Sequence, residues 1–350
     1  MACVQSLHAM TLLKYPELSI VAPLVLHHTT ETPPAFLSHE VLGGAFYAAT
    51  QEREIPGFHF GYLVASRAGE VIATVPYFLT DFKINTMLED GWLKRLLGNA
   101  GFRMACVGHP CAAFGKIDGS VSEELMAQVF LALKRLAPVV SLKGFKPNTP
   151  AVGFVQAKGL PVAILTLREN FWDALSSARR RNIRRKRKKA SALRFEILKG
   201  LPDPYPQLIH ELYIKVHARS KIQFERLDLH YFVSTAPISQ YVLAYLGEKV
   251  VGFVQTLQKD KRMVAQYIGI DDAYNRAHGI YFALAIRVVD LAIELECEQV
   301  ELGETHYEFK KALGCSLQET SVFFRHRHPW VHRLMALFSF VFEPSEDELR

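Results

Sequence analysis

The first half of the chain alternates short apolar runs with polar turns. Residues 62–79 contain two apolar runs on either side of a polar turn at 67–70, which predicts a β-hairpin with a buried second strand. Residues 124–137 carry apolar side chains at helical spacing and stop before Pro138, which predicts a helix followed by another strand. This alternation is typical of a mixed α/β module.

The second half repeats the same order of elements. Residues 241–258 predict a second hairpin with its turn at 247–249, and residues 262–271 predict a third strand. A helix is expected from about 280 to 296, followed by a fourth strand. Because GEVIATVPYF and GEKVVGFVQTL occupy equivalent places in the two halves, the pattern indicates an ancient duplication of one α/β module.

These patterns divide the chain into two modules and a tail. We predict an N-terminal module over residues 1–160 and a C-terminal module over 161–324, which opens with a basic helix at about 172–193. An apolar, aromatic tail follows over 325–350. With 350 residues, of which 49% are hydrophobic and 22% charged, the chain is long enough to bury two cores, which excludes a largely disordered protein.

The cysteines and the N-terminal residues indicate whether the protein is secreted, bound to a metal or inserted in a membrane. The five cysteines are scattered, with no CxxC and no His/Cys cluster at metal-ligand spacing, so neither a disulfide framework nor a metal site is predicted. The first twenty residues show no secretory signal pattern, and no apolar run is long enough to span a bilayer. We therefore expect a cytoplasmic protein without a metal.

One segment carries the excess of positive charge. Residues 179–189, RRRNIRRKRKK, place nine basic side chains in eleven positions. The chain has 41 Lys and Arg residues against 35 Asp and Glu residues, and without these nine the remainder is slightly acidic. On a helix, a basic stripe forms whose mutual repulsion is costly unless an anion approaches. The stripe consists of Arg180, Arg181, Arg184, Arg185 and Lys188.

Several anionic partners fit this stripe. The phosphates of CoA, the acidic surface of an acyl carrier protein, anionic lipid headgroups and an RNA backbone all do so, and a solvated face is the alternative. The tail residues 330–342 are strongly apolar and aromatic, with Arg325, Arg327 and Arg333 close by. Together with the stripe, this tail predicts peripheral binding at the cytoplasmic face of a membrane, although a final helix packed on the sheet fits equally well.

The C-terminal half resembles the GNAT acyltransferases. Their acyl-CoA signature is Arg or Gln, two residues, Gly, one residue, then Gly or Ala; Arg276 and Gly279 match its first positions, whereas Tyr281 occupies the last small one. Over about 171–320, the chain is similar to the duplicated FemAB-like branch of the superfamily, some members of which resemble bacterial ceramide synthases. The shared residues include Tyr267, Gly269, Asp271, Asn275 and the stretch LGETHYEFKKALG.

The resemblance implies two tandem GNAT-like modules of α/β class, with mixed sheets and flanking helices. It implies an acyl thioester donor, either acyl-CoA or an acyl carrier protein, and no permanently bound cofactor. The donor would lie against the signature and the basic stripe. The residues expected to bind it are Tyr267, Gly269, Asn275, Arg276, Gly279 and Thr305 together with the stripe.

Acyl transfer to an amine also needs a base, because an alkylamine has a pKa near about 10.4 and arrives protonated. Asp271 and Glu308 follow adjacent predicted strands and are the first candidates, although an Asp after a strand is often only a helix cap. His278 and His306 are further candidate bases, although a lone loop histidine is more often structural. Lys310 could neutralise a phosphate or the thioester oxyanion, and Tyr281 or Tyr307 could protonate the leaving thiolate, although both residue types are more often structural.

Three functions fit these features. The first is an N-acyltransferase that moves a fatty acyl group from a thioester to an amine such as a sphingoid base or another amino-lipid. The second is a Fem-like transferase that uses aminoacyl-tRNA, which the absence of a coiled-coil arm disfavours. The third is a non-catalytic adaptor that binds lipid or nucleic acid, which Tyr281 in the signature favours. Thiol catalysis by Cys111 beside His109 is disfavoured, because a cysteine at a strand edge is usually a packing residue.

Overall fold

The computed structural model describes residues 22–52, 55–83, 101–220, 224–339 and 343–344. The N-terminal segment that was tested for a signal pattern lies outside this range, as do residues 340–342 and 345–350 of the predicted tail. Over the described residues, fifteen strands form two mixed sheets with helices packed against them. Among the helices of this part, none has the length and apolar content that a membrane span requires.

The first sheet is built mainly from the N-terminal half. Its strands are β1 Leu24–Thr29, β2 Phe58–Arg67, β3 Glu70–Lys83, β4 Gly101–Val107, β5 Asp118–Gly119, β6 Val139–Phe145, β7 Val155–Lys158 and β15 Ser321–His326. They lie in the order β1-β2-β3-β4-β6-β15-β7, with β5 beside β3. The strands β2 and β3 confirm the predicted hairpin.

Within the described part of this half, the helices are α1 Gly44–Gln51 and α2 Glu123–Leu133. The helix predicted over 124–137 is confirmed as α2, which begins where the side chain of Ser122 accepts a hydrogen bond from the Leu125 N–H. Helix α2 connects β4 to β6, and these two strands are parallel. Because β4 and β6 are parallel, the chain joins them by a helical crossover and not by a hairpin.

The second sheet contains the remaining strands. They are β8 Val162–Thr166, β9 Leu193–Lys199, β10 Gln240–Leu246, β11 Lys249–Lys259, β12 Arg262–Ile270, β13 Gln299–Glu301 and β14 Ser316–Gln318. Their order is β14-β8-β13-β12-β11-β10-β9, and only β12 and β13 are parallel. The predicted second hairpin and third strand are confirmed as β10, β11 and β12.

The C-terminal half also contains most of the helices. They are α3 Phe171–Ala174, α4 Ser177–Lys189, α5 Tyr205–Arg219, α6 Leu229–Thr235, α7 Asp272–His278, α8 Ile280–Glu294, α9 Tyr307–Leu313 and α10 Pro329–Leu337, with a 3₁₀ turn at Ala236–Ile238. Helix α8 confirms the helix predicted from about 280. It connects β12 to β13, as α2 connects β4 to β6, and this repeated arrangement confirms two tandem GNAT-like modules.

The basic helix is shorter than the prediction over 172–193. Leu175 adopts an extended conformation and separates α3 from α4, and the Ser176 side chain caps α4 by accepting a hydrogen bond from the Arg179 N–H.

Strand pairing also joins the modules. Strand β8 belongs to the second sheet, whereas β15, at the end of the predicted C-terminal module, pairs with β6 and β7 of the first.

Side chains from both halves share one core. One buried cluster contains Tyr62 and Phe78 of the first sheet together with Tyr213, Phe232 and Tyr241 of the C-terminal half. Apolar area of this kind contributes about 25 cal/mol per Å² when it leaves water. Burial between the halves therefore holds the two sheets next to each other, and any space between them is a fixed feature of the molecule.

Candidate active site

The parallel strands β12 and β13 separate part of the way along the second sheet. They share only the pairs Arg262–Gln299, Met263–Val300 and Val264–Glu301, after which β13 ends while β12 continues to Ile270. Strand β12 also carries an extra residue, Gln266, in its pairing with β11. Because a bulge bends the strand that contains it, β12 turns away from β13 and the sheet opens into a fork at Glu301.

A cavity of about 630 Å³ lies at this fork and extends into the N-terminal module. Its walls come from the parallel pair of each module, β4 and β6 on one side and β12 and β13 on the other. The N-terminal wall includes Phe82, Phe102, Met104, Cys106, Val139 and Ser141. The C-terminal wall includes Val264, Ala265, Tyr267, Leu302 and Phe309. The two modules therefore build a single, mostly apolar site.

Five lysine and glutamate side chains that line this cavity are shielded from bulk solvent: Lys143, Glu225, Glu301, Glu304 and Lys310. Lys158 and Glu343 also line it but are exposed. Lys143 comes from β6 of the N-terminal module, whereas the other four come from the C-terminal half. Charged groups in such surroundings lose hydration and shift their protonation equilibria. A cluster of shifted groups in a cleft is typical of a functional site.

Glu301 ends β13 and lies at the fork. Burial raises the pKa of its carboxyl group to about 7, and the neighbouring Glu304 carboxylate raises it further, against the opposing effect of Lys116, Lys143 and Lys310. A group that titrates near neutrality can accept a proton and release it again at physiological pH. Glu301 therefore has the position and the acidity that a general base requires.

The other two carboxyl groups have raised pKa values as well. Burial is the largest cause for both Glu225 and Glu304, and nearby Lys143 opposes it in each case. The Tyr267 hydroxyl donates a 2.8 Å hydrogen bond to Glu225 Oε1, which fixes that carboxyl group. Lys143 Nζ is fixed in turn, because it donates to the carbonyl oxygens of Pro110 and Ala112 at 3.3 and 2.8 Å.

Lys310 lies on α9 and is only 4% exposed. Burial lowers the pKa of its ammonium group to about 8, against the opposing effect of Cys315, Glu304 and Glu301. The sequence predicted Lys310 near the reacting carbonyl, and it does line the cavity. Its charge lies in surroundings where it would act strongly on a developing oxyanion.

Asp271 lies elsewhere. Its carboxylate caps α7 by accepting from the Ala273 N–H, and it pairs with Lys215 and Lys249 at 3.1 and 3.3 Å. Although burial opposes them, these hydrogen bonds hold its pKa below the usual value. Asp271 is not among the described residues that line the cavity. This arrangement corresponds to a helix cap, and a role of Asp271 as base stays a prediction.

Glu308 is exposed on α9 and is likewise not part of the described cavity wall. We expect Glu308→Gln and Asp271→Asn to keep acyl-transfer rates within about threefold of the wild type, because neither carboxylate faces the cavity. Asp271→Ala should also lower the free energy of unfolding by about 1 kcal/mol through loss of the cap. Steady-state kinetics and urea unfolding test these expectations, and a drop of about 100-fold in either conservative variant would return the base to the residues that the sequence pointed to.

The aromatic residues near the fork are closely packed. The Tyr281 ring lines the cavity and lies 4.6 Å from the ring of His306, centroid to centroid. Burial raises the pKa of Tyr281, so its hydroxyl stays protonated. His306 itself is exposed, and Thr305 beside it is a wall residue. Tyr281 is thus the residue of this group that meets the cavity with a proton to donate.

The N-terminus of α8 is partly occupied by the protein's own side chains. Asn275 Oδ1 accepts a 3.1 Å hydrogen bond from the Tyr281 N–H, which is one of the amides that a phosphate at this helix end would use. Gly279 has a φ of +62°, and a β-carbon there would lie 3.5 Å from Lys189 Cδ. Arg276 is exposed on α7. Phosphates arriving here would therefore meet Arg276 and the end of the basic helix.

Gly269 and Tyr267 of the resemblance have packing roles. A β-carbon on Gly269 would lie 2.2 Å from Phe253 Cε1 and 2.7 Å from the Leu212 carbonyl carbon, so only glycine fits between these groups. Tyr267 lines the cavity and orients Glu225. Both residues belong to β12, which forms one side of the fork.

The basic helix α4 is anchored on one side and exposed on the other. Ile183 is buried, Lys186 Nζ lies 3.2 Å from the centroid of the Phe282 ring, and Arg187 pairs with Asp290 at 2.7 Å. Within the described ranges, Arg187 is the basic residue of α4 that pairs with a carboxylate. Most of the others project into solvent: Arg179, Arg181, Arg184, Arg185, Lys188 and Lys189 are exposed, and Arg180 is half-buried. The predicted stripe of Arg180, Arg181, Arg184, Arg185 and Lys188 lies on this side of α4 and is called the α4 stripe below. The helix ends beside Gly279.

Glu301, Glu225 and Lys143 line the cavity but were not predicted as site residues. Glu301 had a usable signal, because it is a carboxylate at the end of the predicted fourth strand, EQVELGE. Lys143 is a single charge within the apolar strand VVSLKGF, which also marks it as unusual. Glu225 lies in the stretch KIQFERLD, which has no comparable signal.

Comparison with known proteins agrees with this architecture. Residues 177–311 match the acetyltransferase (GNAT) domain family. Among solved structures, L-PGS from Bacillus licheniformis is 11% identical, with 89% of this chain and 98% of that chain covered and a TM-score of 0.54. FemX is 10% identical, with coverages of 83% and 93% and a TM-score of 0.53.

A tandem GNAT protein from the clavulanic acid biosynthesis pathway is 11% identical, with coverages of 88% and 99% and a TM-score of 0.51. No curated protein matches the sequence. At these identities the likeness to solved structures shows the fold alone. The match over residues 177–311 thus supports an N-acyltransferase of GNAT type, and the duplicated fold of the chain is similar to that of FemX and of the tandem GNAT protein.

Proposed function

We propose that the protein forms an amide in the cavity between its modules, by moving an acyl group from a thioester donor to an amine. The observation that carries this proposal is the fork between β12 and β13, which opens on Glu301. A fork of this kind gives an extended donor arm a path through the sheet to the cavity. The carboxyl groups of Glu225 and Glu304 provide the negative charge that a cationic acceptor requires.

The charges in the cavity support a direct transfer. An acceptor amine arrives as an ammonium ion, which the carboxylates of Glu225 and Glu304 stabilise, and Glu301 takes its proton. The neutral nitrogen then attacks the thioester carbonyl, a C–N bond forms, and the C–S bond breaks. Lys310 stabilises the oxyanion of the tetrahedral intermediate, and the Tyr281 hydroxyl gives its proton to the departing thiolate. The nitrogen releases its second proton as the intermediate collapses, and this proton restores the Tyr281 hydroxyl.

The apolar N-terminal wall supports a long aliphatic substrate. Phe82, Phe102, Met104 and Val139 line the cavity, and a volume of about 630 Å³ accommodates an alkyl chain. A fatty acyl donor, or an acceptor such as a sphingoid base or another amino-lipid, matches a cavity that combines apolar and charged side chains.

The donor is acyl-CoA or an acyl carrier protein, and its anionic groups bind the α4 stripe together with Arg276. The bond between Asn275 and the Tyr281 N–H favours a donor that relies on the stripe more than on the N-terminus of α8. The same observation supports a second candidate function, a Fem-like transfer from aminoacyl-tRNA, because an RNA backbone would also bind the stripe.

Native mass spectrometry of the purified chain with each donor separates these functions. The probes are octanoyl-CoA, an octanoylated acyl carrier protein and a bulk aminoacyl-tRNA preparation, each tested for binding and for amide formation with dodecylamine. We expect binding and amide formation with one of the two acyl thioesters. Transfer from aminoacyl-tRNA alone would establish the second candidate function instead.

The tail supports association with a membrane surface. Helix α10 buries none of its residues fully, and Trp330, Leu334, Leu337 and Phe338 are exposed on one side of it, by 70%, 49%, 74% and 52%. Met335 of the same helix lines the cavity, so a lipid held at this helix would lie close to the cavity entrance. An exposed apolar helix beside basic residues is typical of interfacial binding.

Replacing Leu334 and Leu337 together with Ser should weaken co-sedimentation with anionic liposomes by roughly 10-fold, because two large apolar side chains no longer enter the interface. Val25→Ser with Val71→Ser is a matched control, since both valines are exposed on the first sheet, by 55% and 64%. Equal liposome binding by wild type and the Leu double variant would show that α10 contacts no membrane.

A further inference from the structure

Lys310 is a primary amine enclosed in the cavity of an enzyme that acylates amines. We propose that Lys310 Nζ is itself acylated by the donor thioester when the acceptor amine is absent. This modification site rests on the proposed function, since it requires a thioester that reaches the fork. The product is an Nε-acyl-lysine inside the cavity. It forms when the donor is present and the acceptor is absent.

Among the lysines that line the cavity, Lys310 is the buried one. Its side chain is 4% exposed to bulk solvent, yet it lines the same cavity as Glu301 and Ala265 of the fork. Within the described residues, Lys310 forms no ion pair within 4.0 Å, and the Tyr307 ring, its aromatic neighbour, is 6.0 Å from Nζ. Lys143, the other lysine of the charged cluster, is held by two carbonyl oxygens.

The surroundings of Lys310 also favour its nucleophilic form. An exposed lysine is almost fully protonated at neutral pH, because its pKa is near about 10.4. Burial lowers the pKa of Lys310 to about 8, so a substantial fraction is neutral in slightly alkaline solution. Enzymes use desolvation in this way to activate lysine nucleophiles.

The chemical step is the same as acyl transfer to a free acceptor. Neutral Lys310 Nζ attacks the thioester carbonyl, and a C–N bond forms as the C–S bond breaks. The nitrogen loses one proton to the Glu301 carboxylate, and the departing thiolate takes one from the Tyr281 hydroxyl. The proton on Glu301 then returns to the tyrosinate through solvent, so that both groups are restored. Neither an oxidant nor a further reactant is required, and the product is an amide that hydroxylamine does not cleave.

Acylation has a functional consequence because of where Lys310 lies. The acyl chain would extend into the cavity that the acceptor needs, and the cation beside the reacting carbonyl would be lost. An acylated molecule should therefore transfer no acyl group until the modification is removed. Bound acceptor protects against the modification, because its own amine occupies the position opposite the thioester.

The test uses the full chain and octanoyl-N-acetylcysteamine, a small thioester that needs no carrier, without an acceptor. Intact-mass measurement and peptide mapping should find a single octanoyl group on Lys310 that resists hydroxylamine. The rate should rise with pH up to about 8 and then level off, since the neutral amine is the nucleophile. The neighbouring Lys311 is the internal control and should react at least about 10-fold more slowly.

Two variants and one added reagent complete the design. Lys310→Arg should lose the adduct, whereas Lys311→Arg should keep it, and dodecylamine should suppress it in the wild type. Adducts spread over exposed lysines, or confined to hydroxylamine-sensitive Cys106 and Cys111, would overturn the proposal. Transfer to dodecylamine, with no adduct on Lys310 in the reaction without acceptor, refutes this inference alone. An adduct in the reaction without acceptor, with no transfer when dodecylamine is added before the thioester, refutes the proposed function alone.

Discussion

Replacing Glu301 with Gln should lower kcat/KM for acyl transfer by roughly 10²- to 10⁴-fold, the usual contribution of a positioned general base. Gln has nearly the same shape as Glu but cannot accept the proton of the acceptor ammonium. Because Glu301 ends a short strand in the sheet interior, the conservative change should leave circular dichroism and thermal unfolding close to the wild type. Glu308→Gln, on the exposed side of α9, is the matched control.

The pH dependence gives this prediction a second readout. Glu301 has a pKa raised to about 7 and acts in its ionised form, so wild-type kcat/KM should rise with pH through about 7. The Glu304 carboxylate contributes to this raised pKa, so Glu304→Gln should move the rise to lower pH. In Glu301→Gln the rise should be absent. If Glu301→Gln kept wild-type rates and the wild-type pH profile of kcat/KM, Glu301 would be excluded as the base.

Removing three charges from the α4 stripe should raise the apparent KM for the donor by roughly 10- to 100-fold at low salt. The variant is Arg184→Gln, Arg185→Gln and Lys188→Gln, all exposed positions. Each basic residue near an anionic surface contributes on the order of 1 kcal/mol, and the effect fades beyond a Debye length of about 8 Å. The defect should shrink as salt rises, because the wild type loses the same attraction.

A matched control removes three exposed charges from the N-terminal module, at Arg103, Arg135 and Lys146. Its net charge equals that of the α4 variant, so a general electrostatic effect would appear in both proteins. The account predicts a change in donor KM for the α4 variant alone. Unchanged donor KM, RNA binding and liposome binding in that variant would show that the stripe is a solvated surface.

The order of elements was predictable because local pattern determines it. The hairpin β10–β11 and the helix α8 follow from alternation and helical spacing within short windows. The duplication followed from the same patterns repeated in the second half. The division of the basic helix was missed, because Leu175 continues the apolar spacing while its backbone is extended.

The site was harder to predict because its residues come from distant parts of the chain. Lys143 and Glu301 meet only because two sheets pack together, and no local pattern encodes that packing. Asp271 shows the opposite problem. An aspartate between a strand and a helix has the same local pattern as a cap and as a base, and only its partners Lys215 and Lys249 distinguish the two roles.

The central claim is that amide formation takes place in the shared cavity with Glu301 as base. Mass spectrometry of the products formed from octanoyl-CoA, octanoylated acyl carrier protein or octanoyl-N-acetylcysteamine with a panel of amines tests it most directly. The account predicts an N-octanoyl amide from the wild type and from Glu308→Gln, and its loss in Glu301→Gln. No amide from any donor, or equal amounts from the Glu301 variant, would contradict the account.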